Sequence, residues 1–139
     1  MAALSPKPAE TILVVDDDPE VLALAADILR AAGYAVLSTG DPREALHLAR
    51  TRAEPLHLLL TDVRMPLIGG RQLADEFRSI HPNVKVLFMS AYWESLEDYE
   101  VWLASGEPFL DKPFTVPELE RAVRLALDYT PPVPRARAE

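Results

Sequence analysis

Five short apolar runs, each followed by a stretch of helical period, constrain this chain more than any other feature. The runs are Thr11 to Val15, Tyr34 to Ser38, His57 to Thr61, Val84 to Met89 and the short Phe109-Leu110. Several are rich in the Val, Ile, Leu and Phe expected of strands covered on both faces. Between them the helices carry start and stop signals. Asp18 is placed to cap a first helix with Pro19 at its first position. Val21, Ala25, Ile28, Leu29 and Ala32 then share one face before Gly33. Asp41-Pro42 repeats that start. A third helix carries Leu73, Phe77 and Ile80 before Pro82, and a fourth runs from about Glu94 to Ala104. Thr115-Val116-Pro117-Glu118 has the form of a capping box for a fifth. There Leu119, Ala122, Val123, Ala126 and Leu127 form an apolar stripe.

Strand and helix alternating in this way predict an α/β, doubly wound fold, a parallel sheet with helices on both faces, because crossovers between parallel strands are right-handed. At 139 residues the chain suits one domain. The expected organisation is a flexible tail over 1–10 with Pro6 and Pro8, a domain over 11–129, and a second tail over 130–139 with three prolines, Arg135 and Arg137. With a tail of that length, no DNA-binding or enzymatic output domain is expected to follow. No apolar run approaches a membrane span and no secretory leader is visible, so a cytoplasmic setting is expected. The net charge of −8 argues against direct nucleic-acid binding, and zero cysteines remove disulfides, thiolate metal sites and cysteine nucleophiles together.

In a doubly wound sheet, ligands bind beyond the carboxyl ends of the strands. Four polar features stand there: Asp16-Asp17-Asp18 after the first strand, Asp62 after the third, Ser90 after the fourth, and Lys112-Pro113 after the fifth. Each has a plain structural reading. Asp18 is the helix cap, Asp62 alone reads equally as a loop cap, Ser90 as a turn residue and Lys112 as a surface ion pair. Together they describe a phosphoryl-transfer site. Asp16, Asp17 and Asp62 brought close repel one another and call for a cation, and an all-oxygen set suits Mg²⁺ or Mn²⁺. Lys112 supplies a point charge and Ser90 a hydroxyl donor, while a carboxylate serves as nucleophile.

These residues resemble the receiver domains of two-component response regulators and hybrid histidine kinases. The resemblance runs from about Thr11 to Tyr129. It rests on Ile12-Leu13-Val14-Val15-Asp16-Asp17-Asp18-Pro19, on Thr61-Asp62-Val63-Arg64-Met65-Pro66 with Gly70 beyond, on Met89-Ser90-Ala91 and on Asp111-Lys112-Pro113-Phe114. It implies a flavodoxin-like strand order, 2-1-3-4-5, with five helices. It also implies that Asp62 is the phosphorylated aspartate, that Asp17 binds Mg²⁺ directly and Asp16 through water, and that the Arg64 carbonyl completes the protein's share of the shell. Ser90 and Lys112 are then the phosphoryl contacts, Phe109 the rotating aromatic and Pro113 the family's cis proline.

The implied donor is a phosphohistidine on a kinase or phosphotransferase, or a small acyl phosphate. The domain would catalyse only its own phosphorylation and dephosphorylation. Output to a downstream protein is expected on the fourth helix, fifth strand and fifth helix, near Tyr99, Trp102 and Phe109, with the chain itself a monomer or weak dimer. One departure stands out: Gly106-Glu107-Pro108-Phe109 is a residue shorter than the commonest pattern and looks more like receivers attached to hybrid kinases. The chain is accordingly either stand-alone or excised from such a kinase. Three rival readings are weaker. A nucleotide- or flavin-binding domain needs a Gly- or Ser/Thr-rich loop where this chain has Asp16-Asp17-Asp18-Pro19. A phosphatase with a DxD nucleophile fits Asp16 and Asp18, but not Met65-Pro66 or the length. A receiver-like module that is never phosphorylated leaves Asp17, Asp62 and Lys112 without a purpose.

Overall fold

In the computed structural model, residues 9–90, 100, 103–104 and 106–129 are described. Five parallel strands form one sheet in the order β2-β1-β3-β4-β5: β1 Thr11–Val15, β2 Ala35–Thr39, β3 Leu58–Asp62, β4 Lys85–Ser90 and β5 Phe109–Asp111. The helices are α1 Pro19–Ala31, α2 Pro42–Thr51, α3 Gly70–Ile80 and α4 Val116–Asp128. The helix expected over Glu94 to Ala104, with Tyr99 and Trp102, lies outside the described residues except for Glu100, Leu103 and Ala104, which are helical. The tails at 1–8 and 130–139 lie outside them as well.

Alternation along each strand divides the core in two. Leu13, Val15, Leu59, Val86 and Phe88 face α2 and α3, where they meet Leu46, Leu73 and Phe77. Ile12, Val14, Leu58, Leu60, Leu87 and Met89 face α1 and α4, where they meet Leu29, Leu119 and Val123. Both faces of β1 and β3 are buried, which is why those segments read as unbroken apolar runs.

The helix starts follow their sequence signals. Asp18 Oδ1 accepts from Glu20 N at 2.9 Å, and Asp41 Oδ1 accepts from Arg43 N at 2.8 Å, each ahead of a proline. Thr115 and Glu118 close the capping box, Thr115 Oγ1 accepting from Glu118 N at 3.2 Å and Glu118 Oε1 from Thr115 N at 3.0 Å. Gly33, at φ +102, takes the chain out of α1 in a conformation that favours glycine.

Boundaries differ from the expectation in a consistent direction. The strands β2, β3, β4 and β5 extend one residue further, through Thr39, Asp62, Ser90 and Asp111. Polar side chains suggested an end, yet the backbone continues in the ladder, with Asp62 opposite Met89 and Ser90 opposite Asp111. Side-chain polarity does not report main-chain pairing. On α1, Ala32 is exposed and serves as the C-cap, while Ala26 is buried.

Candidate functional site

The order 2-1-3-4-5 sets β1 and β3 side by side with opposite neighbours, so their carboxyl ends open the crevice where such folds bind ligands. Asp16 follows β1 directly and is fully buried. Asp62 closes β3 at 9% exposure, and Asp17 is exposed. Lys112, just past β5, bridges the first two: its Nζ donates to Asp16 Oδ2 at 2.6 Å and to Asp62 Oδ2 at 3.0 Å. A side chain from just beyond the sheet's edge strand thus reaches the ends of the strands two and three places away. The turn that aims it is held by Lys112 N donating to the Ser90 carbonyl at 2.8 Å, and the Lys112–Pro113 peptide is cis.

The remaining oxygens of the pair are also engaged. Asp16 Oδ1 accepts from Asp18 N at 2.9 Å, and Asp62 Oδ1 accepts from Arg64 N at 3.2 Å. Behind Asp16 stands a support that the motif reading did not include: Asp16 N donates to the Thr39 carbonyl at 3.3 Å, and Gly40 passes close to the Asp16 carbonyl. The signal for it was the pair Thr39-Gly40 ahead of the Asp41 cap, and β2 lies beside β1.

Carboxylate oxygens from Asp16, Asp17 and Asp62 lie within 4.8 Å of one another, the only such group among the described residues. Hard oxygen donors without nitrogen or sulfur fit a small divalent cation. Charge repulsion is nevertheless not the main electrostatic strain here. Burial pushes the Asp16 carboxyl above the usual carboxylate range, the Lys112 hydrogen bond opposes that, and the charge of Asp62 contributes least. Burial also works against the charge on Lys112. The hydrogen bonds and charges of Asp16 and Asp62 together outweigh it and hold the ammonium above the ordinary lysine value. Three acids gather beside one lysine that bonds two of them, so the cluster keeps a net negative charge that a metal ion would meet.

Ser90 ends β4, 4% exposed, one strand over from Asp62. Arg64 projects from the loop after β3, and a shallow cleft of about 520 Å³ beside it is lined by Val63, Arg64, Met65, Pro66 and Gly69. Phe109 is half-buried and packs on the α2/α3 side of the core.

With fold and site in view, comparison with known proteins is direct. Residues 12–124 match the response regulator receiver domain, and the chain belongs to that family. It is 36% identical over 115 residues to the transcriptional regulatory protein YrkP of Bacillus subtilis, covering 83% of this chain and 48% of that protein. Among solved structures it resembles a CheY-like receiver domain protein from Methanospirillum hungatei (TM-score 0.75, 28% identity, 87% of this chain and 95% of the other). It also resembles the receiver domain of the hybrid histidine kinase CckA (TM-score 0.71, 36% identity, 85% and 99%). The chain thus spans about half the length of YrkP and nearly all of each isolated receiver. Membership makes it a signalling domain of the phospho-acceptor kind that two-component systems use. Among the described residues, no helix is long and apolar enough to cross a membrane.

Proposed function

We propose that Asp62 is the phosphoryl acceptor and that the donor is a phosphohistidine on a partner kinase or phosphotransferase. The observation that carries this reading is the Lys112 bridge. One ammonium holds Asp62 and the fully buried Asp16 together, with Asp17 beside them, at the one place where the sheet opens. An Asp62 oxygen attacks phosphorus in line. The bond from phosphorus to the donor imidazole breaks, and its electron pair stays on that nitrogen. Lys112 Nζ is placed to leave a carboxylate and take a phosphoryl oxygen, and the Ser90 hydroxyl is a donor for another.

Asp16, Asp17, Asp62 and the Arg64 carbonyl would hold Mg²⁺, or Mn²⁺ in its place, whose chemistry is to neutralise phosphoryl oxygens during transfer. Water attack on the acyl phosphate then returns Asp62 to its carboxylate and releases inorganic phosphate. On this reading the domain turns over no external substrate. It works in the cytoplasm, and the new charge at Asp62 alters a protein-binding surface that includes β5, α4 and the segment before β5.

The test is intact mass after incubation with Mg²⁺ and a small acyl phosphate. Wild type gains one metal-dependent phosphoryl adduct, and Asp62→Asn gains none. An undiminished adduct on Asp62→Asn overturns the assignment, and steady hydrolysis of an added phosphate ester would favour a phosphatase instead.

A further inference from the structure

We infer that Gly70, the first residue of α3, is a positioning residue for Asp62, its missing side chain setting where the end of β3 lies. The inference rests on the reading of Asp62 as acceptor. A Cβ built on Gly70 would run into the Asp62 carbonyl oxygen and approach Asp62 C and Val63 Cα at 3.0 Å each. These are backbone atoms with no flexible end to swing aside. No other glycine among the described residues meets anything closer than 3.4 Å. Gly69, next door, meets only the Val63 carbonyl at 3.5 Å, an ordinary contact.

Neither side of the Gly70 contact has room to retreat. The end of β3 is laced between β1 and β4, with Thr61 opposite both Val15 and Phe88, and Asp62 opposite Met89. Helix α3 is anchored by Leu73, Ala74 and Phe77, all fully buried. The Asp62 carbonyl is further held by the Thr61 hydroxyl, which donates to it at 3.0 Å. Val63 is held on both sides, its N donating to the Met89 carbonyl at 3.0 Å and its carbonyl accepting from Gly70 N at 2.9 Å.

An added methyl therefore rotates the Asp62–Val63 peptide. That rotation moves both Asp62 Oδ2, 3.0 Å from Lys112, and Arg64, whose amide meets Asp62 Oδ1. Acceptance in line with a donor tolerates such shifts poorly, since a displacement of order 1 Å costs roughly a hundredfold in rate.

The experiment compares phosphoryl uptake from a small acyl phosphate, Mg²⁺ affinity by calorimetry and thermal stability for wild type, Gly70→Ala, Gly69→Ala, and Leu46→Ala. Leu46 lies in α2 and supplies a destabilised core remote from the site. Gly70→Ala is expected to slow uptake at least about tenfold and to weaken Mg²⁺ binding at a temperature where it is folded. Gly69→Ala and Leu46→Ala should take up phosphate at the wild-type rate. Gly70→Ala matching Leu46→Ala in rate and Mg²⁺ affinity overturns the inference.

Should Gly70→Ala not fold, Thr61→Val removes the hydroxyl on the other side of the same carbonyl without adding bulk. A severalfold slower uptake supports the positioning role, and a wild-type rate overturns it. Asp62→Asn, run alongside, reports separately on the acceptor itself: an undiminished adduct there refutes the acceptor reading whatever Gly70→Ala does.

Discussion

At the amino edge of the sheet, polar side chains serve the backbone. His57 Nδ1 accepts from Thr11 N at 2.9 Å, and Lys85 Nζ donates to the Tyr129 carbonyl at 2.6 Å. At the carboxyl edge of the same strands, charges face one another, with Asp16 and Asp62 on either side of Lys112 and Asp17 close by. The first arrangement leaves each group locally satisfied. In the second, burial holds the Asp16 carboxyl above the usual carboxylate range even with Lys112 in contact. One end of the sheet is closed by hydrogen bonds to the backbone, and the other gathers three acids beside one lysine. The same strands can support both because parallel pairing fixes the backbone at each end independently of which side chains project there.

The sharpest way to break this contrast is Lys112→Met, which leaves Asp16 and Asp62 facing each other in a buried setting. Removing one partner of such a pair costs about 3–5 kcal/mol. The loss should be visible as a lowered urea midpoint in chelator and should be partly restored by Mg²⁺. A loss equal with and without Mg²⁺ would mean that the acids do not share a cation. At the amino edge, His57→Ala strands the buried Thr11 amide and should cost about 1–3 kcal/mol with no dependence on Mg²⁺ and no effect on phosphoryl uptake. If uptake falls with it, the two ends are coupled.

Leu67 probes the loop between β3 and α3. It is 75% exposed at φ +73, so strain is not repaid by burial. Leu67→Gly should stabilise by up to about 1 kcal/mol, relief of roughly 1–2 kcal/mol less the added freedom of glycine in the unfolded chain. Denaturant melts of the two proteins measure it.

The smallest effect concerns the caps. Hydrogen bonds from Arg43 hold the Asp41 carboxyl below its ordinary value, and those from Thr115 do the same for Glu118. A depressed carboxyl stabilises the fold fully above its unfolded pKa, near 3.8 for Asp41 and 4.5 for Glu118, and loses that contribution as pH falls through the lower folded value. Helical signal from α2 and α4 should fray below pH 4 in wild type. In a variant carrying Asp41→Asn and Glu118→Gln together, that pH dependence should be absent.

Much of the fold was legible in the chain because its signals are local. Asp18-Pro19, Asp41-Pro42 and the Thr115–Glu118 box act within a few residues of themselves, and runs such as Ile12 to Val15 report burial on both faces directly. The acidic site was legible because an α/β sheet directs the residues after its strands to one edge. Less legible were the strand ends at Thr39, Asp62 and Ser90, where backbone pairing outruns apolar side chains. The depth of Asp16 was not legible either: Asp62 does push the Asp16 carboxyl up, as like charges brought close must, but burial under the sheet edge is the larger cause.

Composition and order alone determined the kinds of groups that would meet: three acids, a lysine and a hydroxyl, each placed just beyond an apolar run or at its end. Tertiary structure decided which of them touch, and at what cost. Lys112 spans from beyond the edge strand to Asp16 and Asp62, residues 96 and 50 positions away. Gly70 lacks a side chain where the Asp62 carbonyl, at the end of β3, leaves no room for one. Distances between residues so far apart in sequence are set by packing of the whole sheet, which no local signal encodes.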